Sequence, residues 1–366
     1  MKNFCSHLPI NSVSFGQVST LFLRTYFDKF RENNVCQLDE LAYISNPDIS
    51  PWEINEDFAA WLRGVSDKFN LSHDRNKTCF KLWHLNGSME AVCNDTLLLT
   101  FYELDDPTPA EINIARNNRI ALSSKYAQEV FKAKGIESTY IPLGFDDYNF
   151  KRIDKKFFSD DRIVFNITGK FEKRKHHSKA IRAWLKKFGN DRRYCLQAAL
   201  FNPHLPDAEK QYQALIQSLT ENKKYFNVNF IGPMQKNAVY NDFLNSGDIV
   251  IGMSGAEGWG LPEFQSVAIG KHSVILNAHS YKDWATQENS ILVNPTGKID
   301  SDDGFFFRKG SPFNQGNIFD FNDDDFISAC EQAIKRVETS RINEAGMKLQ
   351  QDFSKEKFVE NILSAL

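Results

Sequence analysis

Short apolar runs alternate with segments of helical periodicity along most of this chain, and the alternation begins afresh near its middle. That rhythm marks parallel β-α-β architecture, in which each buried strand is followed by a helix that covers the sheet. In the first half Phe4–Leu8 reads as a strand. A polar loop around Ser14-Phe15-Gly16-Gln17 follows, and then Val18, Leu21, Phe22, Tyr26 and Phe30 recur at helical spacing. Cys79–Leu85, Leu97–Leu104, Ile120–Ser123 and Thr139–Leu143 read as further strands, and Ile54–Phe69, Pro109–Asn118 and Lys125–Ala133 as helices.

The series restarts at about Asp160. Ile163–Thr168 predicts a strand, and Ser178 predicts a helix N-cap, with Gly189 stopping that helix after Phe188. Strand Val228–Ile231, helix Asn237–Asn245 and strand Asp248–Met253 continue the pattern. Pro262–Ile269 reads as a helix with Pro in its first turn and Gly270 just past its end. The charged stretch Asp146–Asp161 has few apolar anchors and sets a boundary. At roughly 150 residues per domain, 366 residues accommodate two α/β domains with a cleft between them. Lys298–Asn322, rich in Asp, Gly and Asn, reads as a loop excursion. The run Asn322–Asp325 reads as the solvated start of a helix, where carboxylates favour the dipole, rather than as a metal site.

Composition narrows the function classes. The 44 basic and 47 acidic residues leave a net charge of −3. That balance argues against a dedicated binder of nucleic-acid backbone but leaves room for a local basic cleft. No run of about eighteen apolar residues spans a membrane, and Met1–Gln17 lacks the apolar run of a signal peptide. The six cysteines are scattered, with no C-x-x-C pair and no secreted-scaffold spacing. The expectation is a soluble, cytoplasmic protein.

Two segments carry chemistry. Ser254-Gly-Ala-Glu-Gly-Trp-Gly-Leu-Pro-Glu-Phe-Gln-Ser-Val-Ala-Ile-Gly270 follows a buried-looking strand and opens a helix, the place where α/β sheets bind ligands. Gly258 and Gly260 let the backbone approach a ligand closely, and the amides of Gly260 and Leu261 would point at an anion. Glu257 stands one step before those amides, poorly placed for a phosphate and well placed for hydroxyls beside it. That pairing describes a sugar diphosphate. The second segment is Gly169-Lys-Phe-Glu-Lys-Arg-Lys-His-His177, where mutual repulsion among Lys170, Lys173, Arg174 and Lys175 would be relieved by an anion between Lys170 and Lys175.

Together these motifs resemble those of the retaining GT-B glycosyltransferases, specifically the large fourth family (group 1). Gly169-Lys170…Lys175 is similar to its Gly-Arg…Lys turn, and Glu257-Gly-Trp-Gly-Leu-Pro262 to its Glu-Gly-(Phe/Trp)-Gly-Leu-Pro segment. Tyr140-Ile-Pro-Leu-Gly-Phe-Asp146 looks like its hinge phrase, and Ala121-Leu-Ser-Ser-Lys125 like the end of its last N-domain strand. The resemblance implies two Rossmann-like α/β/α domains facing each other across a cleft. Residues 1–152, completed by a C-terminal helix at 353–366, would form the acceptor domain, and 153–352 the donor domain. It implies transfer of a sugar from a nucleotide diphosphate donor, with retention, no metal and no cofactor beyond that co-substrate; a UDP-linked donor is the expectation, while no residue distinguishes uridine from guanosine or names the sugar. Lys170, Lys175 and the amides after Glu257 would stabilise the departing diphosphate. Two departures stand out. The family's Arg is Lys170, which keeps the charge and loses the bidentate fork. Its second Glu, which accepts from both ribose hydroxyls, is Gln265, able to accept from one hydroxyl and donate to the other. Glu263, two residues earlier, would point elsewhere on the helix.

From the first half, His84 before Asn86-Gly87 is the candidate for contacting sugar or acceptor, and Gly16 and Gln17 belong to the loop expected near the diphosphate. Trp259 and Leu261 complete the donor loop, and Gly232 in Gly232-Pro-Met234 marks the expected place of the base. Glu103 is a weaker cleft candidate, while Asp105-Asp106 and Asp302-Asp303 read as loop polar groups. No motif names the acceptor. A glycan or lipid-linked saccharide is the default, and a hydroxymethylated base in phage-type DNA is the lesser alternative, raised by His73-Asp-Arg-Asn-Lys77, Lys151-Arg152 and Lys155-Lys156. A nucleotide-sugar-binding protein that kept the fold and lost turnover is the competing reading, favoured by Lys170 and Gln265.

Overall fold

The structure, a computed structural model, describes residues 2–32, 36–202 and 207–366. Strands β1 (Lys2–Leu8), β2 (Cys36–Tyr43), β3 (Thr78–Leu82), β4 (Asp95–Thr100), β5 (Arg119–Leu122) and β6 (Thr139–Tyr140) form one sheet in the order β2-β1-β3-β4-β5-β6. Strands β7 (Ile163–Thr168), β8 (Tyr194–Ala199), β9 (Val228–Phe230), β10 (Ile249–Gly252), β11 (His272–Leu276) and β12 (Ile291–Val293) form a second, in the order β12-β11-β10-β7-β8-β9. Every pairing within these two sheets is parallel. Each residue of β3, β7, β8, β10 and β11 is buried, as expected for strands covered on both faces by helices.

The helices follow in turn: α1 (Ser14–Thr25), α2 (Glu56–Ser72), α3 (Pro109–Arg116), α4 (Lys125–Lys132), α5 (His177–Phe188), α6 (Ala208–Thr220), α7 (Asn237–Ser246), α8 (Leu261–Ala268), α9 (Asp323–Thr339), the short α10 (Glu344–Met347) and α11 (Leu349–Asp352), and α12 (Lys355–Ala365). Local chemistry sets several starts. Asn55 caps α2, Thr108 and Glu111 form a capping box on α3, and Asn322 accepts from Asp324 N–H and Asp325 N–H at the head of α9. The acidic run after Asn322 is therefore a helix N-terminus, as read from the sequence.

Topology decides where a ligand can sit. The strand order reverses between β1 and β3 in the first sheet and between β7 and β10 in the second. Chains leaving the carboxyl ends of those neighbours diverge to opposite faces and leave a crevice.

Several expectations are corrected. Gly16 and Gln17 are in the first turn of α1, not in a loop, because Val13 is already the extended N-cap and Phe15 is buried. An added Cβ on Gly16 would lie 2.1 Å from the Asn11 carbonyl, so the helix start packs directly on the preceding loop. Strand β3 ends at Leu82, and Leu85–Met89 is a 3-10 turn. Strand β4 ends at Thr100, short of Leu104. Helix α5 is preceded by His176 at φ +52° rather than by a Ser178 cap. Strands β2, β8, β11 and β12 were not anticipated; in β2 the adjacent Asp39 and Glu40 hide the strand pattern.

The segment expected to be an open excursion contains a hairpin, β13 (Gly297–Asp300) with β14 (Asn317–Asp320), and it clasps the first sheet's flank. Asp105 accepts from Lys298 Nζ at 2.8 Å and Asn317 N–H at 2.7 Å, Glu111 from Asn314 N–H at 2.9 Å, and Thr108 donates to the Pro312 carbonyl at 2.6 Å. Helix α12 returns to the first sheet's layer, packing on α1, with Arg119 donating to the Ala365 carbonyl. No helix among the described residues is long and apolar enough to cross a membrane.

Candidate active site

Both reversal points carry the residues singled out above. His84 and helix α1 follow β3 and β1, while Lys170–Lys175 and Ser254–Gly260 follow β7 and β10. The two sides touch. Ser123 Oγ donates to the Gly258 carbonyl at 2.8 Å, Gln265 Nε2 to Gln17 Oε1 at 3.5 Å, and Asp283 accepts from both Lys125 N–H and Tyr140 hydroxyl.

The centre is Glu257. Its Oε1 is paired with Lys175 Nζ, and lies 3.1 Å from Arg174 Nη1. All three side chains are buried. Burial alone would raise the Glu257 pKa, but Lys175 first and Arg174 second outweigh it and hold the carboxyl well below the usual range. Arg174 is a hub the sequence did not single out. It also meets Glu172 Oε2 at 2.8 Å and Glu103 Oε1 at 3.2 Å, and donates to the Ala256 carbonyl at 2.7 Å. Glu103 thus faces the cleft, and burial with the nearby Glu257 and Glu172 charges pushes its pKa up to about 7 despite Arg174. A guanidinium, with five N–H donors in a planar fork, can serve these three carboxylates and a carbonyl together.

The loop under Glu257 is clamped by backbone. Gly255 N–H donates to the Arg174 carbonyl at 2.7 Å and its carbonyl accepts from Phe319 N–H at 2.9 Å. A Cβ on Gly255 would meet the Phe319 carbonyl at 2.3 Å. His279 and His176 hydrogen-bond the Ser254 and Phe319 carbonyls, each at 2.8 Å. Gly260, at φ +81°, then opens α8, which has no side-chain N-cap, and the positive end of its dipole lies at this loop.

The remaining candidates divide. Lys170 is partly exposed, 3.6 Å from Glu172, and Gly169 at φ +133° makes the turn that delivers it. His84 rests on the Phe15 ring at 4.7 Å. It is accessible to solvent, yet the surrounding protein displaces bulk water, and this desolvation together with the Lys170 charge lowers its pKa to about 4. Gln265 is buried and turned toward Gln17, whereas Glu263 points inward, its Cγ 2.7 Å from where a Cβ on Gly252 would stand. The Trp259 indole packs in the core against Phe264 and Phe353, and Leu261 is buried too. Gly232 lies exposed beyond β9, the edge strand two places from β7, outside this cluster. Asp302 and Asp303 accept from backbone amides of their own turn, as loop polar groups do.

No family model and no curated protein matches the sequence. The structure is similar to a sucrose-phosphate synthase from Thermosynechococcus elongatus, at TM-score 0.68 and 11% identity over 99% of this chain and 97% of that one. A glycosyltransferase from Rickettsia africae gives TM-score 0.64 at 11% identity, with the same 99% and 97% coverage. HepE of Anabaena, solved with UDP-glucose, gives TM-score 0.62 at 14% identity over 99% of this chain and 100% of that one. Two six-stranded parallel sheets with facing reversal points, matched from end to end by these structures, give this chain the GT-B fold.

Proposed function

We propose that the chain is a glycosyltransferase that moves a sugar from a UDP-linked donor to an acceptor hydroxyl, with retention and without a metal ion. The observation that carries this reading is the buried Lys175–Glu257 pair beside the uncapped start of α8. A departing diphosphate gathers negative charge, and Lys170, Lys175 and the amides of Gly260 and Leu261 are positioned to stabilise it, the task a divalent ion would otherwise perform. When Lys175 turns to phosphate, Arg174 keeps Glu257 ionised, free to accept from a sugar hydroxyl. His84, neutral at pH 7, can exchange hydrogen bonds with a hydroxyl without adding charge. Gln265 and Gln17 face each other where a ribose would bridge the domains. The uridine assignment is supported by the shared fold of HepE, solved with UDP-glucose.

For the acceptor we propose a saccharide. Two of the basic residues that raised DNA, His73 and Lys77, both hold the buried Glu40, and Lys156 meets Asp161 at 2.9 Å on the surface. The test is a thermal-shift panel of nucleoside diphosphates and nucleotide sugars, with and without chelator, each compared with donor-free protein in the same buffer. The active donor is then offered saccharides and hydroxymethylated DNA. A chelator-insensitive shift with one uridine donor and an α-linked product from an α-linked donor supports the reading. A shift without transfer to any acceptor would point to the binding-protein alternative, and no shift at all would overturn the donor site.

A further inference from the structure

At the opposite, amino-terminal end of the first sheet, cysteines that are scattered in sequence come together. Cys5 of β1 and Cys79 of β3 are direct neighbours across the parallel ladder, and Cys93 arrives from the loop before β4. Their exposures are 0%, 0% and 2%, and their sulfurs all lie within 4.8 Å of one another. None is in a disulfide. Glu40, the ladder partner of Cys5 on its other side, and His73 also come within 4.8 Å of the Cys5 sulfur and of each other. This group lies in a different place from the crevice.

Three buried thiols are small hydrophobes when they stand alone. Here an imidazole and a carboxylate converge on the Cys5 sulfur from its other side, and thiols with an imidazole are the donor set of a soft metal. A tetrahedral zinc ion with Zn–S bonds of about 2.3 Å needs sulfurs about 3.8 Å apart, within a small side-chain adjustment of the observed cluster. His73 is oriented for the task. Its Nε2 is 2.8 Å from the Val92 carbonyl, next to Cys93, which directs Nδ1 toward Glu40 and Cys5. An outer hydrogen bond to a carbonyl is the usual means of fixing a metal-binding imidazole. Lys77, paired with Glu40 and 2.9 Å from Asp39, supplies positive charge beside the excess negative charge of three thiolates on a dication.

We propose that Cys5, Cys79 and Cys93, with His73 turning its Nδ1 from Glu40 to become the fourth ligand, bind one zinc ion, a structural site that ties β1, β3 and the loops before β3 and β4 together. Binding releases the three thiol protons and the Nδ1 proton, and no electron is transferred. The site is closed, with four protein ligands, so it braces the sheet rather than performing chemistry.

The test uses the full-length protein, reduced, stripped by chelator and titrated with Co²⁺ and then Zn²⁺. We expect one equivalent of Co²⁺ with the sulfur-to-cobalt charge-transfer band of a three-thiolate site. Zn²⁺ should displace it stoichiometrically, raise the thermal midpoint and protect three thiols from alkylation. Cys93→Ser should weaken uptake at least 100-fold and dim the band, His73→Ala should weaken it about 10- to 100-fold, and Cys36→Ser should leave it unchanged. Absence of a cobalt band and of stoichiometric zinc in the folded wild-type protein would overturn the proposal, whether or not the variants fold. So would full uptake by Cys93→Ser, or a Cys5–Cys79 disulfide that, once reduced, leaves thiols unable to take metal.

Discussion

Replacing Arg174 by Met tests the electrostatic logic of the site more severely than any change at the crevice surface. The guanidinium meets three carboxylates, at 2.8 Å from Glu172, 3.1 Å from Glu257 and 3.2 Å from Glu103. At an effective dielectric constant of about 20, each such pair is worth about 4 kcal/mol of attraction, offset by several kcal/mol for desolvating the arginine. Removal does not forfeit the whole sum, because Lys175 still neutralises Glu257 and Lys170 stands 3.6 Å from Glu172. Glu103 is the carboxylate left alone, and its pKa already lies at about 7. Glu103 is partly exposed, so the expected loss is at most that of one broken buried pair, about 3 kcal/mol at pH 8. Without Arg174 the Glu103 pKa rises further above its unfolded value, so the folded variant takes up a proton as pH falls. The deficit should shrink by up to about 1.4 kcal/mol in all between pH 8 and pH 6, mostly above pH 7, because wild-type Glu103 is itself protonated below that. Denaturant unfolding of wild type and Arg174→Met at pH 6, 7 and 8 measures this. A loss below about 1 kcal/mol at pH 8, or one independent of pH, would refute the hub assignment.

Glu257→Gln preserves volume and removes the charge, and transfer should fall on the order of 10²–10³-fold; activity within tenfold of wild type in a coupled UDP-release assay would move the reacting sugar elsewhere. Glu263 is buried, and burial pushes its pKa up to about 7 from 4.5. A raised acid binds its proton better when folded, so its contribution falls as pH climbs from about 4.5 through 7 and is lost above that; Glu263→Gln should gain up to about 3 kcal/mol at pH 8 and nothing at pH 4, and equal stability differences at both pH values would refute it. Gly258→Ala would place a Cβ 2.4 Å from the Phe101 Cβ across the cleft. The domains must then separate, seen as a larger radius of gyration by small-angle scattering and a raised donor KM, and an unchanged radius would contradict the contact.

Much was legible in the chain because parallel α/β architecture writes itself locally. Buried strands such as Ile163–Thr168 are continuous apolar runs, and Glu257-Gly-Trp-Gly-Leu-Pro262 places two glycines and a helix start where a ligand must approach backbone. What failed depended on partners distant in sequence. Strand β2 has Asp39 and Glu40 in its middle, and only the later arrival of Lys68, Lys77 and His73 makes those carboxylates tolerable there. Trp259 sits in the motif, and only the return of Phe353 from the end of the chain shows that its indole belongs to the core.

Periodicity, glycines and the two basic and acidic motifs thus determined the two-domain α/β class and most of the crevice residues by themselves. Tertiary structure decided the rest. It gave Arg174 three carboxylates from separate loops and drew the 297–320 hairpin against Asp105. It also gathered Cys5, Cys79 and Cys93 across adjacent strands. The physical reason is common to all three: charge pairing and side-chain contact act over a few ångströms of space, and nothing in a linear sequence records that Arg174 will meet Glu103 and Glu257, or Cys5 meet Cys79.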